Sequence, residues 1–348
     1  ADALYEDCTI TSEAWGVMST DGVRRCRLNL KNCDIAITGP SGYGAFSIGD
    51  CIDTFEDCRI DVPDYALIMA NETASGVFKN TKVDAGRFAV MCFRNEGGKL
   101  VITDGSVMNT DETTVVVKGC APIIEADNCV LSPGNGIILQ LMNSDDPGNP
   151  AGYYKDPTED DTFDPTHDNK TARETYDVVA TFKDMTVTGD FYNGSTGKKG
   201  DTGPKMEMAP PPGAGPEGPG GPGGPDGGPG GPGAKGNGYD GVRNMALTFD
   251  NAAVTGIISA SKALHRVEKV FKDNCEELGE VINTAQPVVN NGVIVTLKNG
   301  ATWTVAGTSY LSSLTIDDTS SVVGTLLVDG KETALVPGIY TGALTLTI

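Results

Sequence analysis

The sequence predicts an all-β chain: a right-handed parallel β-helix, a solenoid with coils of about 22–25 residues, long inserted loops and a β-rich C-terminal cap. Three observations carry that expectation. A short motif recurs at near-constant spacing, a second apolar series runs out of phase with it, and the composition is rich in glycine and poor in aromatics.

The motif reads EDCTI at 6–10, KNCDI at 31–35, EDCRI at 56–60, KNTKV at 79–83, TDGSV at 103–107 and DNCVL at 127–131. Its middle residue falls at 8, 33, 58, 81, 105 and 129, and weaker copies follow at 183–187 and 250–254. Alternation along a strand turns Cys8, Cys33, Cys58 and Cys129 inward together with the aliphatic residue two places later. They form a ladder of small buried side chains, expected as free thiols because neighbours in a parallel ladder are awkward to bridge. The Asx residue before each ladder position (Asp7, Asn32, Asp57, Asn80, Asp104, Asn128, Asp184, Asn251) is expected to make the turn, since Asn and Asp tolerate the left-handed conformation.

The second series is WGVM at 15–18, YGAF at 43–46, YALIM at 65–69, FAVM at 88–91, TVVV at 114–117 and GIIL at 136–139. A third apolar position precedes the motif at Leu30, Phe55, Phe78, Ile102, Phe182 and Phe249, which implies three sides to each coil. One coil cannot bury its apolar face alone, whereas stacked coils bury a continuous column. Right-handedness is expected from the preference of parallel crossovers. The composition agrees: 45 glycines and 6% aromatics among 348 residues suit many short strands and turns. Trp15, Tyr43, Tyr65 and Phe88 are expected to face inward or to be half buried, which leaves no sugar-stacking row.

The repeat divides the chain. Regular coils are expected over 1–140, an acidic loop over 141–176, one coil over 177–192, a Gly/Pro-rich loop over 193–240, another coil over 241–260, a lateral insertion over 261–290, and closing coils with a cap over 291–348. The Gly/Pro-rich segment has glycine at every third position from 215 to 236, collagen's spacing, but its triplets are too few, so a solvated polyproline-like loop is expected. The lateral insertion has apolar spacing that permits a short helix or a strand pair.

Charge narrows the partners. Lys and Arg total 26 against 47 Asp and Glu, a net charge of −21, which repels nucleic acid and anionic membrane surfaces. No apolar run is long enough to span a membrane. The amino terminus opens inside a repeat, so a signal peptide and earlier coils are expected to precede it. Nine cysteines are odd in number and lack zinc-knuckle spacing. Calcium is the one cofactor the acids could hold, at Asp145, Asp146, Asp156, Glu159, Asp160, Asp161, Asp164 and Asp168 in the acidic loop, because hard cations want several carboxylate oxygens.

Catalytic candidates are sparse. Asp50, Asp53, Asp61 and Asp64 recur near turns and could line one face as a glycosidase pair. Arg24, Arg25, Arg27, Arg59, Arg87 and Arg94 are the basic residues a lyase would need, and charge balance at turns is their expected role. His167 and His265 lack ligand companions and are expected to be solvated.

The stretches WGVMSTD at 15–21, SGYGAFSIGD at 41–50 and DYALIM at 64–69 resemble adhesin-like right-handed β-helix repeat proteins, secreted or surface-borne, of anaerobic Clostridia-type bacteria. Trp303, Val305, Ser309, Tyr310, Leu311, Leu314 and Ile316 match a further stretch of that family. The resemblance implies a secreted or cell-surface bacterial protein and supplies no catalytic residues. The expected function is thus a non-enzymatic adhesin-like or structural module that meets extracellular glycans or surface proteins. A polysaccharide lyase or glycoside hydrolase is the alternative, and self-association into filaments is a third reading.

Overall fold

The computed structural model describes residues 2–20, 25–71, 73–145, 177–195, 243–267, 272–288 and 292–348. The chain is all-β, with long parallel sheets through which successive strands rotate in order. Asp2–Glu6, Thr9–Ser12 and Trp15–Thr20 open a first, second and third sheet. Cys26–Lys31, Asp34–Ile37 and Tyr43–Ile48 then pair onto them, one on each, all parallel. The cycle repeats through Ile137–Met142, and every third strand is a hydrogen-bonded neighbour. Beyond it the second sheet restarts at Thr186–Thr188 as a separate four-stranded ladder.

Register turns the apolar spacing into a core. Tyr5, Leu30, Phe55, Phe78, Ile102, Ala126, Phe182, Phe249, Leu297 and Ile316 are successive partners down the first sheet. The Phe55 and Phe78 rings stack at 5.0 Å, and Phe182 stacks on Phe249 at 5.5 Å. Like side chains therefore meet like side chains, and dispersion accumulates along the column.

The Asx positions make the turns as expected. Asp7, Asn32, Asp57, Asn80, Asp104, Asn128, Asp184 and Asn251 all adopt positive φ, between 44 and 57°. They also alternate strictly, Asp then Asn. Asn32 Nδ2 donates to Asp7, Asn80 Nδ2 to Asp57 at 2.7 Å and Asn251 Nδ2 to Asp184 at 2.6 Å. Two carboxylates one strand spacing apart would repel, and the intervening amide removes that conflict.

The cysteine ladder holds with two corrections. Asp34 N donates to Cys8 O, Arg59 N to Cys33 O and Lys82 N to Cys58 O, so Cys8, Cys33 and Cys58 occupy neighbouring layers. In the fifth layer the ladder residue is Ser106, not Gly105: Val107 N donates to Thr81 O and Val130 N to Ser106 O. Asp104 and Gly105, both at positive φ, absorb the extra residue. Cys8 is only partly buried, because the first strands are neighbours on one side only. All nine thiols are free.

Three stretches of chain interrupt the cycle at the same step. Residues 146–176, 196–242 and 266–292 each follow a strand of the third sheet and precede one of the first. The Gly/Pro-rich stretch lies outside the described residues. Instead of an α-helix, the lateral segment has an extended strand, Ile258–His265, a short 3₁₀ turn, Lys272–Glu277, and an antiparallel return, Val281–Ala285. At the carboxy-terminal end Ser309–Ile316 and Thr325–Val328 each pair antiparallel with Gly338–Thr347. No described helix is long and apolar enough to cross a membrane.

Candidate functional site

The third sheet is apolar on both faces, as its fully buried strands Leu67–Ala70 and Val115–Lys118 record. One parity, Ala45, Leu67, Val90 and Val115, faces the main core. The other parity, Phe46, Ile68, Met91 and Val116, faces out, and with Tyr43, Tyr65 and Phe88 it builds a second hydrophobic cluster.

Tyr43, Tyr65 and Phe88 are buried as expected, but in the outer cluster and not in the main core, while Trp15 is exposed. They sit where the chain turns from the second sheet into the third, and the bend there redirects them outward. Trp15 stacks on Tyr43 at 5.7 Å with rings 16° apart, Tyr43 meets Phe46 edge-on at 5.7 Å, and Phe46 lies 6.4 Å from Phe93. Trp15 is 59% exposed and Met18 50%. The result is a row of contacting rings on the outer face, of which Trp15 is the exposed member.

Further along, the face is covered. Leu278–Val281, between the short turn Lys272–Glu277 and the strand after it, packs on Phe88 and Arg87, and charged groups fasten it there. Arg87, beside both rings at 5.1 and 4.8 Å, pairs with Asp64 at 3.0 Å and Glu280 at 3.2 Å, and donates to Leu278 O. Lys118 Nζ lies 2.7 Å from Asp145, whose other oxygen meets His265 Nε2 at 3.1 Å and the Gly279 N–H. At the rim Arg266 reaches Glu112 at 2.9 Å and Glu277 at 3.1 Å.

Burial pushes the Glu280 carboxyl up to about 7, more than Arg87 lowers it. Burial likewise leaves Asp64 above the usual carboxylate range in spite of Arg87. Burial works to raise Asp145 too, but Lys118 and His265 outweigh it and hold the carboxyl well below that range.

Several expectations change here. Asp145 is a buried ion-pair partner, not a loop carboxylate awaiting calcium. Asp146, Asp156, Glu159, Asp160, Asp161, Asp164 and Asp168 lie outside the described residues. Among the described residues no group of three or more His, Cys, Asp or Glu is arranged to hold a metal ion. His265 is buried against Asp145 instead of solvated, and Arg87 is buried instead of balancing charge at a turn. His167 and Arg24 lie outside the described residues.

The four candidate acids do not share a face. Asp50 pairs with Arg25 at 2.9 Å, and Asp61 with Arg59 at the surface. Asp53 is wholly buried, accepts from Ser19 Oγ at 2.6 Å and is pushed up to about 6 by burial. Asp64 lies beneath the covering segment. Each of the four is committed to a different partner.

A recess of about 440 Å³ opens where the second sheet restarts, lined by Asn128, Cys129, Asp184, Met185, Thr186, Asn251 and Ala253. Its Asx side chains are already committed to turns. Sequence reasoning missed the outer aromatic face, yet a signal was present: LIMA, VMCF and VVVK are apolar at both parities, the mark of a strand covered on two sides. Comparison with protein-family models, curated proteins and solved structures finds no match.

Proposed function

We propose that this chain is a secreted or cell-surface bacterial β-solenoid, right-handed and non-enzymatic, that binds glycans through the outer face of its third sheet. The solenoid reading is supported by the rotation of strands through three sheets with every third strand paired. Its hand follows from the strong preference of parallel crossovers.

The observation that carries the binding reading is the exposed Trp15 ring stacked on Tyr43 and continued by Phe46 and Phe93. The C–H faces of sugars lie flat on aromatic rings, and such rings lose little conformational freedom when they bind. Layers in register repeat about every 4.8 Å, which suits a polymer better than a single compact ligand. The net charge of −21 favours neutral glycans over polyuronates.

Retention on immobilised xylan, glucomannan, pectin and mucin glycans tests the reading. Trp15→Ala, a change at an exposed ring, should leave the melting curve in place and weaken retention roughly tenfold, the loss of about 1.4 kcal/mol. Unchanged retention in that variant, or no retention of the parent on any polymer, overturns the proposal. Release of sugar fragments in the same incubation would support the lyase or hydrolase reading instead.

A further inference from the structure

The aromatic row does not stop where exposure stops. Tyr65 and Phe88, 5.5 Å apart, follow Tyr43 in the next two layers and belong to the same outer cluster. Against Phe88 and the Arg87 that joins it to Tyr65 lies the segment Lys272–Ala285, through Leu278–Val281.

How that segment is held is unusual for a cover. The outer cluster consists of the sheet's own side chains, to which the covering segment adds one partly buried residue, Val281. Directly over Phe88 it places Gly279, at φ +85°, where an added Cβ would come within 3.0 Å of the ring. A segment selected only to bury an aromatic face would be expected to turn apolar side chains onto it. Here the fasteners are polar: Arg87 with Glu280 and Leu278 O, Asp145 with the Gly279 N–H, Arg266 with Glu112 and Glu277, and the antiparallel ladder of Val281–Ala285 with Ser261–His265. Buried ion pairs gain little net stability over apolar packing, but they demand one geometry. Polar contacts also lose less on exposure than apolar ones, because water replaces their partners. The contact is specific and separable.

We propose that Lys272–Ala285 is a removable cover, and that its opening extends the glycan-binding row from Trp15 and Tyr43 to Tyr65 and Phe88. This rests on the reading of the outer face as a glycan site. In the closed state the Glu280 carboxylate and the Leu278 carbonyl occupy the Arg87 guanidinium, in the place where sugar hydroxyls would accept from it. The exposed part of the row makes first contact, and the covered part adds contact area once the cover lifts, so affinity grows with polymer length.

Hydrogen–deuterium exchange on the full chain tests the cover with or without a ligand. Amides of 274–285 should exchange at least tenfold faster than those of Val90–Phe93 in the sheet beneath. Arg266→Ala, which removes the pairs to Glu112 and Glu277 and the 3.6 Å contact with Glu280, should speed the cover a further two- to fivefold or so and leave the sheet unchanged. The best retained of the four polysaccharides should speed exchange in the cover and slow it around Tyr65 and Phe88. Cover amides as slow as the sheet, and indifferent to Arg266→Ala, overturn the proposal. If retention depends on Trp15 but polymer leaves cover exchange unaltered, the cover proposal falls and the binding reading stands. If no polymer is retained, both fall, even where the cover opens.

Discussion

Asn80 sits at φ 44° and donates to Asp57, so one side chain both permits a turn and separates two acids. Its neighbours repeat the arrangement, and the column beside it alternates charge as well: Lys31 pairs with Glu56, Lys183 with Asp127 and Lys298 with Asp250. Each exposed pair is worth little alone. The column sets the register, because a slip by one layer would oppose acid to acid. Asn80→Val should cost about 2–3 kcal/mol, from the left-handed strain of a β-branched residue and the lost hydrogen bond. Asn80→Gly, which accepts that φ freely, should cost about 1 kcal/mol or less. Urea melts of the two variants provide the measurement, and equal costs would show that φ is not the constraint. The Asx role was readable from sequence because it depends on local backbone preference. The roles of His265 and Arg87 were not, since each depends on a partner more than a hundred residues away, Asp145 and Glu280.

At the scale of elements, the third sheet and its cover behave as one unit with a titrating fastener. Glu280 is held at about 7 against an ordinary 4.5, so the closed state binds its proton more tightly than the open state. The stabilising contribution is therefore complete below about pH 4.5 and is lost as pH rises through about 7. The groups facing it are Arg87, Arg266, Glu112 and Glu277. Protection of the cover amides should fall between pH 5 and pH 8, by an amount on the order of 2 kcal/mol in opening free energy. Glu280→Gln, which keeps an oxygen for Arg87, should flatten that part of the profile. A profile as steep in the variant as in the parent would assign the titration to another group. The sequence left a short helix or a strand pair open for the cover, because Ser261–His265 and Val281–Ala285 pair antiparallel across a turn, outside the period that organises the rest.

Across the whole molecule, the three stretches interrupt the cycle at the same step, between the third sheet and the first, and an insertion at a turn disturbs no ladder. The two ends differ. Gly338–Thr347 pairs antiparallel between Ser309–Ile316 and Thr325–Val328, with Lys331–Thr333 at the sheet's edge, and helps bury Leu311, Leu314 and Leu326. Deleting residues 338–348 should open a parallel-sheet edge and turn a monodisperse chain into a concentration-dependent assembly, seen by light scattering. A truncated chain that stays monodisperse would show that the strand caps nothing. The sequence by itself determined the layers, the turns and the interior columns, because a repeat of about two dozen residues writes each contact many times and each copy obeys the same local rules. Tertiary structure alone decided which way the aromatic row faces and what covers it. A bend between sheets reorients a side chain without changing the alternation, and a cover that occurs once leaves no period to read.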